Sequence, residues 1–312
     1  MILNDIAEID MTRTSMPFAI TFDCDPAVFD DSLKPLLDNK FDHLWESIPI
    51  ALEMIVQAKK ISGTSISATF FVRNLTAHSA GSIKRENWLD FEPLWKRVVD
   101  EGHYLGLHPH IDYPLKSQKD PDCMKIQSVM DSDFQILKQL GASVRVSRVG
   151  GHSYNSITSH TLSSLDVRVD SSAIPGRNLG KIQGTSDWRT YSNHILRKWS
   201  YKDISSNGSE GISRLIEVPM CTIEQSSHPG FYRYIDFSFR SFEDHPFITP
   251  RILDNCEFGV SVTHPSSLLD DTYLSHRSLE FGMNHWLRNF ENFITEFKEN
   301  NVQLQFLNLS EA

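Results

Sequence analysis

The sequence predicts an α/β protein of the barrel kind, a distorted β/α barrel of about seven strands. Three observations carry that prediction. Short apolar runs alternate with stretches of helical period along the chain, the pattern of parallel strands with helices outside. The runs number seven or eight, which favours a barrel over an open sheet. The residues with chemical potential fall just after the runs, at the strand ends where barrel sites are built.

Each element follows from local pattern. Residues 18–22 form an apolar run that ends in acids, a buried strand with polar residues at its C-terminal end. Leu44, Ile48, Leu52, Ile55 and Val56 share one helical face, with Gly63 just beyond and Pro49 marking either the true start or a kink. Residues 67–72 (SATFFV) are a second strand. Residues 91–100 are helical, with Leu94, Val98 and Val99 inward and Gly102 as the stop. Residues 104–107 are a third strand running into His108. A helix over 122–140 is closed by Gly141. Strand 144–149, helix 156–165 and strand 167–170 follow. Residues 177–210 are polar and read as a long loop or insertion. Strands at 215–220 and 258–263, a long amphipathic helix at 278–299 and a last strand at 302–307 complete the series.

Bulk properties narrow the function. The chain has 312 residues, 40% hydrophobic and 22% charged, within the length that β/α barrels reach as a single domain. One domain over 1–312 is expected, with an insertion around 177–250. A formal net charge of −10 argues against a nucleic-acid binder. No run approaches the roughly 18 apolar residues of a membrane span. The N-terminal residues carry no leader-like apolar core, and the four cysteines (Cys24, Cys123, Cys221, Cys256) show no CxxC spacing. A cytoplasmic chain with free thiols is the expectation.

Five strand-end clusters carry the candidate chemistry. In Thr21-Phe22-Asp23-Cys24-Asp25, two acids at i and i+2 point the same way on extended chain and can divide base and ligand roles. His108, His110 and Asp112 fall within five positions, in residue types that suit zinc, iron, cobalt or nickel. His108 and Asp112 would meet on a helical turn. His108 and His110 would meet only if the segment stays extended, which Pro109 favours for His108. His103 precedes the strand, at its opposite end, and receives no role. Arg148, before Gly150-Gly151-His152, can brace a carboxylate. Asp170 ends a strand and is a candidate partner of Arg148. His264 ends another and is a candidate general acid. Taken singly, each also fits a plain turn, a solvated strand end or a structural histidine. Their common placement is what argues for a site.

This order of motifs resembles the polysaccharide deacetylase family, also called the NodB-homology or carbohydrate esterase family 4 group. Thr21-Phe22-Asp23-Cys24-Asp25, Ala68-Thr69-Phe70-Phe71-Val72, the segment 102–108, Arg148, Asp170-Ser171-Ser172 and Thr263-His264 match its motifs in sequence over roughly residues 17–310. The resemblance implies Asp23 as catalytic base and Asp25 and His108 as ligands of a divalent metal, zinc or else cobalt or nickel. It also implies Arg148, held by Asp170, as the brace of Asp23, and His264 as general acid. The implied substrate is a carbohydrate bearing an N-acetyl group, in surface polysaccharide synthesis. The family's usual His-x-x-x-His is absent, because position 112 is Asp; the third ligand is either His110 or Asp112. An amidase for cyclic amides and a catalytically degenerate carbohydrate-binding barrel are the alternatives. A glycosidase using Asp23 and Asp25 is the weaker one, since i, i+2 acids can hardly flank a sugar ring at the roughly 5–9 Å required. As aromatics able to stack on a sugar, Trp88, Trp95, Trp188, Trp199, Tyr232 and Tyr234 stand out, although buried packing is the commoner use.

Overall fold

The computed structural model describes residues 14–26, 41–77, 83–111, 121–150, 156–177, 188, 199–200, 215–224, 232–238, 257–269 and 282–312. The strands are β1 (Ser15–Cys24), β2 (Thr69–Ala77), β3 (Ile83–Arg85), β4 (Tyr104–Ile111), β5 (Val146–Ser147), β6 (Val169–Asp170), β7 (Trp199–Ser200), β8 (Ile216–Glu217), β9 (Thr222–Glu224), β10 (Tyr232–Tyr234), β11 (Gly259–Thr263) and β12 (Gln303–Phe306). The helices are α1 (Leu44–Ser62), α2 (Glu92–Asp100), α3 (Pro121–Gln139), α4 (Ser156–Ser164) and α5 (Met283–Glu299).

Seven strands run parallel in the order β11-β1-β2-β4-β5-β6-β8. β12 joins β1, β3 is antiparallel to β2, and β7 is antiparallel to β8. Backbone crosses the gap between β8 and β11. The N–H of Cys221 donates to Val260 O (3.1 Å) and that of Val262 to Ile235 O (2.8 Å). The sheet therefore curls round on itself as a distorted β/α barrel, as the alternation of elements predicts.

Strand alternation sorts side chains into two layers. On β1, Phe18 and Phe22 face outward: Phe18 meets Phe293 of α5 at 5.0 Å between ring centroids, and Phe22 stacks on Phe70 at 4.6 Å. Ala19 faces the lumen, packed with Phe71, Val146, Val169, Val218, Val260 and Leu309. Gly106 of β4 belongs to this layer, because a Cβ there would lie 2.6 Å from the Phe71 ring. With both faces buried, the strands read as continuous apolar runs rather than alternating ones. The lumen floor is thus filled by side chains, and polar groups gather above it at the C-terminal ends.

Several boundaries differ from the sequence reading. Pro49 neither starts nor ends α1 but sits inside it, and Val56 is exposed at 38% rather than inward. The helix-closing glycines Gly63 and Gly141 take φ of +73° and +85°. α2 is preceded by a 3-10 turn, Trp88–Phe91, and its fully buried Trp95 was missed in favour of the half-exposed Val99. β4 runs to Ile111, four residues beyond the expected end; the helix expected over 278–299 begins at Met283, and residues 278–281 lie outside the described part. Within the stretch 177–250 the described residues include β8, which pairs with β6 as the strand expected over 215–220, and the antiparallel pair β9–β10; most of the expected insertion lies outside the described residues. Cys24, Cys123 and Cys221 are buried free thiols, and Cys256 lies outside the described residues. No described helix is long and apolar enough to cross a membrane.

Candidate metal centre

The length of β4 decides the site. Because the strand stays extended through position 111, residues 106, 108 and 110 share one face, and Pro109 points to the other. Gly106 lies over the lumen floor, so His108 and His110 stack above it, directed at the C-terminal mouth. Their rings are perpendicular, with centroids 4.8 Å apart. Asp25 comes from the end of β1, one strand pairing beyond β2.

The three side chains converge on one point. His110 Nε2 lies 2.9 Å from Asp25 Oδ1, His108 Nε2 lies 3.4 Å from the same oxygen, and the two Nε2 atoms are 3.2 Å apart. Ligands about 2.0–2.1 Å from a tetrahedral zinc stand roughly 3.3 Å from one another. The set therefore has the size and the chemistry of three corners of such a site, and it is the His/Cys/Asp/Glu cluster of metal-binding spacing found among the described residues. The second nitrogen of one ring supports this. His108 Nδ1 donates to the backbone carbonyl of Arg148 at 2.6 Å, the tautomer that leaves Nε2 with its lone pair free for a metal. His110 is admitted by Gly150. The N–H of that glycine donates to Pro109 O, and a Cβ on it would lie 2.0 Å from His110 Nε2. Asp112, the other candidate third ligand, lies outside the described residues, as does His152.

Behind the cluster sits a clamped carboxylate. Arg148, buried at 1% exposure, donates from Nη1 to Asp23 Oδ1 (2.6 Å) and Thr21 Oγ1 (2.8 Å). It also donates from Nε to Ser171 O and from Nη2 to Ser171 Oγ. Its guanidinium lies over the Phe71 ring, 4.3 Å from the centroid. The expectation that Asp170 holds Arg148 is corrected here. Asp170 accepts from Ser147 Oγ at 2.5 Å, and the residue that braces the guanidinium is its neighbour Ser171. Strand alternation explains the shift: Arg148 lies one residue beyond β5, level with the residue that follows β6.

Electrostatics divide the two acids and the distal histidine. Burial pushes the Asp23 carboxyl up, but Arg148, with His108 and His264, outweighs it and holds Asp23 below its ordinary value. Burial likewise opposes ionisation of Asp25, and the imidazoles of His110 and His108 hold it well below the usual range. His264 lies across the mouth, its Nε2 3.5 Å from Asp25 Oδ2. Partial burial lowers its pKa, and the carboxylates of Asp25, Asp23 and Asp236 reverse that and raise it to about 9. Asp236 itself accepts from Ser238 and from Thr263 Oγ1, whose hydroxyl is approached in turn by Trp286 Nε1.

Other expectations fall away. Trp88, Trp95 and Trp188 are core residues at 1% exposure or less. Tyr234, half-buried with its ring 6.4 Å from that of His264, is an aromatic at the mouth among the described residues. Trp199 and Tyr232 lie on described strands, with side chains outside the described part. His103 sits at the opposite end of β4, as expected, where its Nδ1 accepts from the Ala68 N–H. The sequence reading missed Arg73, whose Nη1 donates to Asp25 Oδ1 at 3.2 Å. It follows the SATFFV strand directly, and the same strand-end rule would have found it.

No family model matches the sequence, and no curated protein matches it. Among solved structures, the chain is similar to a candidate polysaccharide deacetylase from Mycobacterium smegmatis, with 14% identity, 96% of this chain and 88% of the other covered, and a TM-score of 0.54. It is also similar to the 4-alpha-glucanotransferase of Thermococcus litoralis, at 10% identity over 95% of this chain and 40% of that one, with a TM-score of 0.50. A family 4 carbohydrate esterase from Streptomyces lividans overlaps more loosely, at 9% identity, 93% and 91% coverage and a TM-score of 0.39. At these identities the likeness concerns the fold. The fold read from the sequence motifs is thus matched over nearly the whole chain, by two structures whose names describe different chemistry, so function has to be argued from the site.

Proposed function

We propose that the protein is a metal-dependent carbohydrate N-deacetylase. One observation carries the reading: an ionised carboxylate, Asp23, is clamped by a buried arginine beside an Asp25–His108–His110 set of metal-ligand spacing. A divalent ion held by those three side chains, zinc being the first candidate, supplies Lewis-acid polarisation of an amide carbonyl and acidification of water. The chain's own groups do the rest. Arg148 occupies Asp23 Oδ1 and fixes the carboxylate, whose Oδ2 accepts the proton of the attacking water. Ser171, Thr21 and the Phe71 face hold that guanidinium so that it cannot follow the proton. His264, on the far side of Asp25, carries a proton to the leaving amine nitrogen. The C–N bond breaks, and the products are acetate and a free amino sugar. Tyr234 offers a ring at the mouth for a sugar face. Within this class the substrate we favour is a nucleotide- or lipid-linked N-acetyl sugar of surface-polysaccharide synthesis, handled in the cytoplasm.

The test is acetate release by the zinc-loaded protein from N-acetylated amino sugars, with cyclic ureides and imides as a parallel arm. The reading expects acetate from the sugars, abolished in Asp23→Asn while bound zinc is retained. Turnover confined to the cyclic amides would move the protein to the amidase class, and none on either would leave a carbohydrate-binding barrel.

A further inference from the structure

We infer that Arg73 is a positioning residue for the metal centre: a rigid strut that aims the Asp25 carboxylate at the two imidazoles. The inference rests on the metal-centre reading above.

The strut is built by an irregularity in β2. Val72 pairs with Leu107 and Leu75 with Pro109, three steps on β2 against two on β4, so one extra residue is accommodated between them. Such bulges re-aim side chains beside functional sites. In regular alternation Thr76 would turn away from the face that Arg73 shares with Phe71. With the bulge, Asn74 and Leu75 both point outward, Asn74 to Asp133 of α3 and Leu75 into the outer core, and Arg73 and Thr76 both face the site. Arg73 therefore donates to Thr76 Oγ1 from both Nε (3.1 Å) and Nη2 (2.7 Å).

The anchor lies further out. Thr76 Oγ1 donates to Glu86, and Glu86, only 7% exposed, lies 3.6 Å from Arg73 Nη2. Glu86 is placed by the β2–β3 hairpin, where its N–H donates to Asn74 O at 3.0 Å. The line Glu86–Thr76–Arg73–Asp25 thus runs from the hairpin to the ligand. With three of its donor contacts fixed on one side, the guanidinium presents Nη1 to Asp25 Oδ1, the oxygen that both Nε2 atoms approach. A carboxylate oxygen has two lone pairs, so one can accept from Arg73 while the other faces the metal position. Without the strut the Asp25 carboxylate, one residue beyond the end of β1, keeps only imidazole neighbours, His108, His110 and His264, and loses the fixed donor that sets its angle. Partners of this kind, one shell behind the ligands, typically change metal affinity 10–100-fold when removed.

The experiment is cobalt(II) titration of the full chain, read by visible absorption, with zinc competition against a chromophoric chelator, for wild type, Arg73→Met, Arg73→Lys and Thr76→Val. Thermal melts verify that each is folded. The expected result is a 10–100-fold weaker site in Arg73→Met, with altered d–d bands, a partial recovery in Arg73→Lys, and a smaller loss in Thr76→Val, which leaves every charge in place. Arg73→Met binding as tightly as wild type, or more tightly, would overturn the strut and show that the cation only repels the metal, while the metal centre itself would stand. A wild-type chain that binds neither cobalt nor zinc would overturn both.

Discussion

An alanine at position 150 has no room for its methyl group. A Cβ there would lie 2.0 Å from His110 Nε2, 2.2 Å from Cδ2 and 2.5 Å from Cε1. Non-bonded heavy atoms settle at about 3.5–4.0 Å, so the ring must retreat by roughly 1.5 Å. The glycine cannot retreat instead, because its N–H is tied to Pro109 O at 2.9 Å. An imidazole can swing aside at little cost to the fold, so the damage falls on the site. Metal ligands tolerate only about ±0.2 Å, and a displacement of that size removes His110 from the set. Gly150→Ala is therefore expected to lower zinc affinity at least about 100-fold, worth about 2.7 kcal/mol, with little change in thermal stability. Competition against a chromophoric chelator measures it. A His110→Ala background provides the control: with the ring gone, adding Gly150→Ala should cost nothing more. An affinity within twofold of wild type in the single variant would refute the packing argument and His110's place as a ligand.

Two further outcomes follow from the same structure. Arg148→Met strips the buried partner from Asp23, and an uncompensated buried charge costs about 3–5 kcal/mol; denaturant unfolding should show that loss at pH 7, and much less in the Arg148→Met, Asp23→Leu double variant. His103 is buried neutral, its pKa lowered by burial from 6.5 to about 4. Because the folded value is depressed, its contribution is present above pH 6.5 and lost as pH falls towards 4, the loss reaching about 2–3 kcal/mol at pH 4.5. Wild type should lose that much more stability than His103→Gln between pH 8 and pH 4.5, and equal losses would remove His103 from the acid limb.

What the sequence revealed and what it hid have separate physical causes. Strands buried on both faces are continuous apolar runs, so β1, β2 and β11 stood out, β12 instead showing an alternating pattern, and the rule that sites sit beyond strand ends pointed to Asp23, Asp25, His108, Arg148 and His264. Whether His110 can meet His108 turns on whether the chain past Leu107 stays extended or turns into a helix. Composition is silent there, because Pro109 restricts only His108, and it is pairing with β2 through Ile111 that holds the strand straight. Ser171 displaced Asp170 as the brace of Arg148 for a related reason: the level at which two strand ends meet is set by register, which a linear reading does not contain. Arg73 sits just beyond the SATFFV run, where the strand-end rule points, but its hold on Thr76 depends on the bulge, a one-residue irregularity with no compositional mark of its own. Gly150 was visible as part of a Gly-Gly pair, but the reason for it, a ring from another strand, is a tertiary fact.

The central claim is that Asp25, His108 and His110 hold one divalent ion. Metal content of the purified, zinc-loaded chain by elemental analysis tests it most directly, in wild type, His108→Ala, His110→Ala and Asp112→Ala. The account predicts about one zinc per chain in wild type and in Asp112→Ala, and loss of the ion in both histidine variants. Zinc retained in His110→Ala but lost in Asp112→Ala would contradict the ligand set, and no zinc in the wild-type chain would contradict the metal centre itself.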